Sequence, residues 1–440
     1  MLRRKALDRL REWRSNAENK SMIVTGARQV GKTYIVREFG KEYASYIEIN
    51  FLENPRAKVI FDGPLDADTL LRGIRLYVSD VRVIPGETLL FLDEIQECPA
   101  AITALKFLAG DRRVDTIASG SALGMAYHRG TSYPVGYVTY LDMYSLDFEE
   151  FLWAMGVDED IIEAVRVHGQ ELTPVEPALH QVFMRYLRQY LVLGGMPEVV
   201  DIFTVNQDYA AADSAQRRIY RDYLADIARF AAPAEKLKAE MCYRSIPAQL
   251  MKNNHKFQYS VVEKKGTARK FESSLDWLES SYMVIPVRNV GYVEYPLQLH
   301  EMEDSLRIYP SDPGLLVCTF DYSLKRALLA DRNEETTSDI VLKTAKGGLY
   351  EALAADLLRK GGHRKLHFFR NEAGTAEVEF LIEGAQGVVP VEVKAGRTRS
   401  RSLDNLLKKD DIHHGFKLAD QNVGVDGKKI TLPLYMAMWI

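Results

Sequence analysis

The run Gly26-Ala27-Arg28-Gln29-Val30-Gly31-Lys32-Thr33 constrains this chain more than any other stretch. It reads G-x-x-x-x-G-K-T, a phosphate-binding pattern, and its surroundings suit that pattern. Met22-Ile23-Val24 before it is a short apolar run that predicts a buried parallel strand. Tyr34 to Phe39 after it sets Ile35, Val36 and Phe39 on one face of a helix. Strand, glycine-bearing loop and helix are what a phosphate cradle needs. Glycine lets the backbone curl until its N–H groups converge on phosphate oxygens, and the helix start adds its positive end. Residues 26–34 then line the phosphates, Lys32 reaches the β- and γ-phosphates, and the Thr33 hydroxyl falls to Mg²⁺.

A second signature follows about sixty residues later, in Thr88-Leu89-Leu90-Phe91-Leu92-Asp93-Glu94. A buried parallel strand delivers carboxylates to the carboxyl end of the sheet, where ligands bind. Asp93 is placed to hold Mg²⁺ through water, and Glu94 to polarise the attacking water as general base. Val114 to Ala118 reads as another short strand, ending in Ser119-Gly120-Ser121. At that strand end Ser119 or Ser121 senses the γ-phosphate, or a serine simply caps the next helix.

Length and composition bound the rest. A chain of 440 residues suggests two to four domains, and 47% apolar residues suffice for sizeable cores. A net charge of −4 excludes a global basic field, while leaving room for a local one. Cys98, Cys242 and Cys318 are far apart and follow no metal spacing, which fits a reducing cytosol. No apolar run reaches transmembrane length. Met1-Leu2-Arg3-Arg4-Lys5 is basic but lacks the apolar stretch of a signal peptide. The expectation is a soluble cytoplasmic protein with no membrane partner.

Around the phosphate loop, residues 3–17 predict an amphipathic helix with Leu7, Leu10 and Trp13 on one side. Tyr46 to Phe51 alternates like a strand, and Leu70 to Val78 has a helical pattern. Residues 158–240 are rich in helix formers, broken at Thr173-Pro174-Val175-Glu176-Pro177 and again at Leu191 to Pro197, and predict a helical lid or connector. Residues 241–332 hold a winged-helix-like unit: a first helix at Ile246 to Met251, a second around Thr267 to Trp277, and a wing strand from Tyr282 to Val290. Lys264, Lys265, Arg269 and Lys270 sit where a recognition helix touches phosphates, or form a solvated charged face. The polar stretch Asn333 to Asp339 marks a linker.

Taken together the motifs resemble a prokaryotic AAA-type ATPase of the archaeal-ATPase-like group, in which the ATPase core precedes a C-terminal domain of unknown function. The resemblance runs through Gly26–Thr33, Leu92-Asp93-Glu94-Ile95-Gln96, Ser119-Gly120-Ser121 and Tyr144-Ser145-Leu146-Asp147-Phe148-Glu149-Glu150-Phe151. It continues in Gly194-Gly195-Met196-Pro197-Glu198, Tyr309-Pro310-Ser311-Asp312-Pro313-Gly314-Leu315-Leu316 and Gly348-Leu349-Tyr350-Glu351. The group usually carries Gly-Arg before its Leu-Ser-Phe-type segment, an arginine suited to act as a finger in a neighbour's site. This chain has Gly136-Tyr137 there, so that role falls elsewhere, with Arg112, Arg113 and Arg129 open as candidates.

Beyond residue 340 the pattern changes. Leu349 to Leu358 is an amphipathic helix bearing Glu351, Leu366 to Arg370 and Glu377 to Ile382 alternate like strands, and Val388 to Val393 runs into Lys394. A helix acid, a strand acid and Glu-x-Lys resemble the PD-(D/E)XK nuclease fold. That likeness implies a divalent metal shared by Glu379 and Glu392, completed by Glu351, with Lys394 steadying an attacking water. The departure is Glu379, where the group usually shows aspartate; the alternative is a scaffold that binds without cutting. Arg397, Arg399, Arg401, Lys408 and Lys409 form a local basic patch.

The expected chain is thus α/β: a P-loop NTPase parallel-sheet core over 1–157, a helical lid over 158–240, a winged-helix unit over 241–332, and a restriction-endonuclease-like α/β domain over 340–440. Its cofactors are ATP and Mg²⁺, and its expected partners are DNA and further copies of itself. The expected function couples ATP hydrolysis to DNA binding or remodelling. The alternatives are an ATP-switched nuclease and a signalling or defence scaffold that binds a protein.

Overall fold

The computed structural model describes residues 2–16, 20–78, 82–120, 134–231, 235–252, 255–330, 339–394 and 400–440. Ser121, Arg129, Arg397 and Arg399 lie outside these, as does most of the stretch read as a linker. The chain forms two compact units. One is Arg3–Ser145 together with Ser280–Tyr282; the other is essentially Leu146–Glu279 and Met283–Ile440.

The first unit is built on five strands: β1 (Ser21–Gly26), β2 (Ser45–Asn50), β3 (Thr88–Asp93), β4 (Asp115–Ser119) and β5 (Val138–Met143). All pair in parallel, in the order β2-β3-β4-β1-β5. Every residue of β1 and β3 is buried. That is the reason their sequences are continuous apolar runs rather than alternations. β5 is an edge strand, only partly buried, and its mixture Val138-Thr139-Tyr140-Leu141-Asp142-Met143 carries no such signature. One core cluster packs Ile47, Ile49, Leu90 and Leu92 of the sheet against Leu70 and Ile74 of the helix Ala67–Tyr77 and Leu105 of the helix Pro99–Ala109. This open, all-parallel, helix-covered sheet with its glycine loop after β1 is the P-loop NTPase arrangement.

The second unit begins with helices. Phe148–Ala154 starts at a capping box, in which Asp147 accepts from Glu150 N and Glu150 accepts from Asp147 N. Pro177–Leu193, Pro197–Asn206, Tyr209–Phe230, Lys236–Leu250 and Ala268–Ser280 follow. Then comes a mixed sheet of eight strands: β6 (Val284–Val290), β7 (Glu301–Pro310), β8 (Leu366–Arg370), β9 (Glu377–Gly384), β10 (Gly387–Lys394), β11 (Gly415–Ala419), β12 (Gly424–Asp426) and β13 (Lys429–Pro433). Their order is β12-β13-β11-β10-β9-β8-β6-β7. β6, read from sequence as a wing strand, pairs antiparallel with β7 and parallel with β8. Strands from both sides of the 333–339 stretch, which sequence reads as a linker, therefore share one sheet.

A buried polar hub explains the later motifs. Asp312 accepts from Gly195 N at 2.8 Å and from Leu315 N at 3.1 Å. A Cβ on Gly194 would fall 2.0 Å from Asp312 Oδ1, and one on Gly195 would fall 2.0 Å from Leu146 O, so this pair must be glycine. The Tyr190 hydroxyl lies 2.8 Å from both Leu146 O and Asp356 Oδ2. Lys360 Nζ sits 2.8 Å from Asp356 Oδ1 and 2.9 Å from the Tyr190 hydroxyl.

Burial raises the Asp356 pKa to about 6, even with Lys360 opposing it. A folded pKa above the unfolded value means that stability from this group is present below about pH 4 and is lost as pH rises through about 6. The unfolding free energy of wild type, minus that of Asp356→Asn, should therefore fall by roughly 1 kcal/mol between about pH 5 and about pH 8. Denaturant titrations of both proteins at the two pH values measure it. A difference that does not change with pH would show that Asp356 stays charged throughout.

Candidate functional site

The carboxyl ends of β1, β3 and β4 converge on one place. β1 ends at Gly26, whose φ of +145° brings the chain so close to β5 that a Cβ would lie 2.0 Å from Met143 O. The loop then passes through positive φ at Gln29 (63°) and Gly31 (94°), and Gly31 opens the helix Lys32–Gly40. Left-handed residues in such a loop turn successive N–H groups toward one side. Lys32 is buried, its Nζ donating to Gly26 O at 3.0 Å and Ala27 O at 2.7 Å, so the ammonium is folded into the loop it serves.

Asp93 ends β3, and four groups donate to it. The Thr33 hydroxyl reaches Asp93 Oδ2 at 2.9 Å, and Asn50 Nδ2 reaches the same oxygen at 3.0 Å. Ser119, at the end of β4, donates its hydroxyl to Asp93 Oδ1, and Glu94 N donates to that oxygen at 3.0 Å. Glu94 follows in the left-handed region (φ 51°), which costs a non-glycine residue on the order of 1 kcal/mol, and Gln96 Nε2 donates to its carboxylate at 2.5 Å. The structure thus brings together Lys32, Thr33, Asp93, Glu94 and Ser119 at the mouth of the glycine loop. The donor set, a hydroxyl and a carboxylate of hard oxygens beside a phosphate loop, fits Mg²⁺.

Sequence reasoning missed three parts of this region. Asn50 ends β2, where an asparagine gave no signal of its own. Asp142 near the end of β5 takes hydrogen bonds from Thr25 at 2.9 Å and from the Tyr282 hydroxyl at 2.6 Å. Tyr282 belongs to the short Ser280–Tyr282 segment that packs within this unit, although it is remote in sequence. Of the arginines weighed as fingers, Arg113 is engaged with Asp68 at 2.8 Å and Asp111 at 2.5 Å. It and Arg112 precede β4, at the end of the sheet opposite the phosphate loop. At the Gly136-Tyr137 pair the cation present is Lys106, whose Nζ lies 5.4 Å from the centre of the Tyr137 ring.

The acids of the C-terminal region also meet, but with cations among them. Glu351, on the helix Asp339–Lys360, accepts from Arg307 at 3.1 Å and from Tyr309 at 2.9 Å, both on β7, and is paired with His255 Nδ1 at 2.8 Å. Burial pushes the Glu351 pKa up, and these partners more than offset it, holding the group below the usual carboxylate value. Lys394 Nζ bridges Glu379 at 3.0 Å and Glu392 at 2.9 Å. Burial keeps the Glu379 pKa raised despite Lys394, and the two glutamates raise that of Lys394 against its own burial. Arg307 also pairs with Glu377 and lies 4.5 Å from the Phe368 ring centre. Among the described residues no group of three or more His, Cys, Asp or Glu is arranged to hold a metal. As placed, Arg307 and Lys394 neutralise these acids, so the set does not fit a divalent ion.

On the helix Ala268–Ser280, the side facing β6 and β7 forms a cleft of about 400 Å³ lined by Glu272, Asp276, Glu279, Glu303 and Asp304 with Arg269 and Arg288. Lys264, Lys265, Arg269 and Lys270 are exposed at the start of this helix, with Lys270 paired to Glu263.

Residues 18–152 match the AAA domain, residues 184–326 a domain of unknown function (DUF8612), and residues 346–435 another domain of unknown function (DUF4143). With the phosphate loop and the β3 aspartate in place, the first unit has the P-loop NTPase fold, and most of it is similar to the AAA domain model. A comparison with curated proteins gave no match. Among solved structures, the chain is similar to the Walker-type ATPase PABY2304 of Pyrococcus abyssi, with 13% identity, 73% of this chain and 96% of that chain covered, and a TM-score of 0.44. It is also similar to the ORC1 protein of Aeropyrum pernix in complex with DNA, with 14% identity, 75% and 92% covered, and a TM-score of 0.29. A third is a signal transduction ATPase with numerous domains from Pyrococcus horikoshii, with 12% identity, 82% and 47% covered, and a TM-score of 0.27. Among the described residues, no helix is long and apolar enough to cross a membrane.

Proposed function

We propose that the first unit binds ATP with Mg²⁺ and hydrolyses it, and that nucleotide state governs what the rest of the chain binds. One observation carries this reading: the Thr33 hydroxyl and the Asp93 carboxylate lie 2.9 Å apart at the mouth of a loop that encloses Lys32. Mg²⁺, when bound, supplies charge neutralisation across the β- and γ-phosphates. Thr33 and Asp93 hold that ion, and Lys32 gives its charge to the same phosphates. Glu94 orients the attacking water and takes its proton. Ser119, already tied to Asp93, reports the γ-phosphate back to the metal-holding carboxylate. Ser121 is retained as the alternative for that task, and a cation from a second copy of the chain completes the site in place of the missing Gly-Arg.

DNA is the partner we favour, and one observation supports it. Lys264, Lys265 and Arg269 are exposed and have no ion-pair partner among the described residues, so their charge is available to a phosphate backbone. The acidic cleft beside them confines such contact to the helix start. Residues 340–440 we read as a nuclease-like scaffold that binds without cutting, because Lys394 and Arg307 occupy the acids.

The test is ATP turnover by the purified full chain, with and without Mg²⁺ and duplex DNA, over a range of salt. Turnover should require Mg²⁺ and rise with DNA at low salt. Neutralising about three phosphates gives a binding slope near −3 in log K against log salt. Absence of any Mg²⁺-dependent turnover would remove the hydrolase reading. Turnover indifferent to DNA, with a flat salt response, would remove DNA and leave a protein-binding scaffold.

A further inference from the structure

The first unit holds a second concavity, at the other end of its sheet. It measures about 570 Å³ and is lined by the helix Lys5–Ser15, the turn after the helix Pro99–Ala109, and the first residues of β1 and β4. β1 and β4 are parallel, so they start here and end at the phosphate loop. A strand of six residues separates the two places by roughly 20 Å. The cavity is therefore not part of the nucleotide site.

Its chemistry is cationic and unsatisfied. Arg9 and Arg112 both line it, and neither has a hydrogen-bond or ion-pair partner among the described residues. Lys20 and Arg14 add charge to the same wall. Of the three acids in the lining, Asp111 is held by Arg113 and Asp115 accepts from the Tyr43 hydroxyl at 2.7 Å, which leaves Glu12. Thr116 on the floor is only 3% exposed, and its hydroxyl has no partner among the described residues. A buried hydroxyl without a partner costs about 1–3 kcal/mol, so it marks a place where a polar group is wanted. Trp13 and Tyr140 supply flat apolar surface beside these cations.

We propose that this cavity binds a small organic anion. Its carboxylate or phosphoryl oxygens would meet the Arg9 and Arg112 guanidinium groups, which suit planar oxyanions, and its carbon body would lie against Trp13 and Tyr140. The volume falls within the range of small-molecule sites. A ligand here touches the starts of the two strands whose far ends carry the phosphate loop and Ser119, and so is placed to bias the nucleotide site through the sheet.

The experiment is calorimetric titration of the full chain carrying Lys32→Ala, which disables the phosphate loop, with citrate, inorganic pyrophosphate and AMP as separate probes. The circular dichroism spectrum and melting temperature of the variant, compared with wild type, show that it is folded, and wild type is titrated in parallel with citrate. At least one probe should bind, and the Arg9→Gln, Arg112→Gln double variant should weaken it at least tenfold. Both substitutions lie on exposed side chains, so the fold is kept. Citrate binding in preference to pyrophosphate identifies a carboxylate ligand, and the reverse a phosphoryl one. The proposal fails if no probe binds, if the double variant binds as wild type does, or if binding is seen only with Lys32 intact.

Discussion

Lys32→Ala should lower ATP turnover by the full chain about 100- to 1,000-fold, the usual cost of removing one preorganised charge from a reacting phosphate. The reason is local. Lys32 is buried, and its ammonium is held by Gly26 O and Ala27 O in the centre of the loop. Its removal therefore takes a positive charge from the centre of the loop. The substitution should leave the fold intact, because the lost hydrogen bonds are to loop carbonyls to which water can donate instead. The circular dichroism spectrum and melting temperature of the variant check this, and Lys32→Met, which keeps the side-chain volume, separates loss of charge from loss of packing. Turnover by both variants equal to wild type would dissociate the glycine loop from the chemistry and leave the AAA domain without its assigned role.

The candidate nucleotide site was legible because its parts are adjacent in sequence or delivered by continuous apolar strands. Eight residues fix the loop, and the run from Thr88 to Leu92 can be nothing but a buried strand that ends at Asp93. Long-range geometry was not legible. Asn50 joins Asp93 from a strand that alternates, and Tyr282 joins Asp142 across 140 residues. β5 escaped notice because an edge strand is buried on few of its residues. The later motifs announced themselves as motifs without giving their reason. Gly194-Gly195 is required by Asp312 and by the backbone at Leu146, partners over a hundred and almost fifty residues away respectively.

The C-terminal acids teach the same lesson with a different outcome. The resemblance to the PD-(D/E)XK nuclease fold implies a metal-binding set of Glu351, Glu379, Glu392 and Lys394, and these residues do gather in one region. Arg307 was the missing piece. It lies on β7, in the part of the chain read as a winged helix, and reaches Glu351 from 44 residues away. No local pattern shows that a strand on one side of a polar linker will carry a cation into a cluster on the other. That became visible only when β6 paired with β8 and the two regions proved to share a sheet.

Arg307→Leu should consequently lower the unfolding free energy of the Leu146–Ile440 unit by about 3–5 kcal/mol, the cost of leaving a buried charge without its partner. Arg307 is 1% exposed, so its guanidinium gets almost nothing from solvent and is held by Glu351, Glu377, Tyr309 and the Phe368 ring. Leucine fills much of the volume, but it strands the Glu351 carboxylate with only His255 and Tyr309. Glu377 is one-third exposed and near Arg370, so it turns to solvent at little cost; the loss is concentrated on Glu351. The sign with pH follows. The folded pKa of Glu351 is depressed, so its contribution is present above the unfolded value near 4 and is lost as pH falls through the folded one. The gap between wild type and Arg307→Leu in denaturant unfolding should therefore be largest near neutral pH and shrink as pH falls below the usual carboxylate range toward the folded pKa of Glu351. Glu351→Gln, which keeps the Tyr309 contact and removes the charge, should destabilise less than Arg307→Leu, because Arg307 retains Glu377. If Arg307→Leu is as stable as wild type at neutral pH, and Mn²⁺ then raises its melting temperature, the arginine is merely occupying a metal's place and the cluster is a cation site after all.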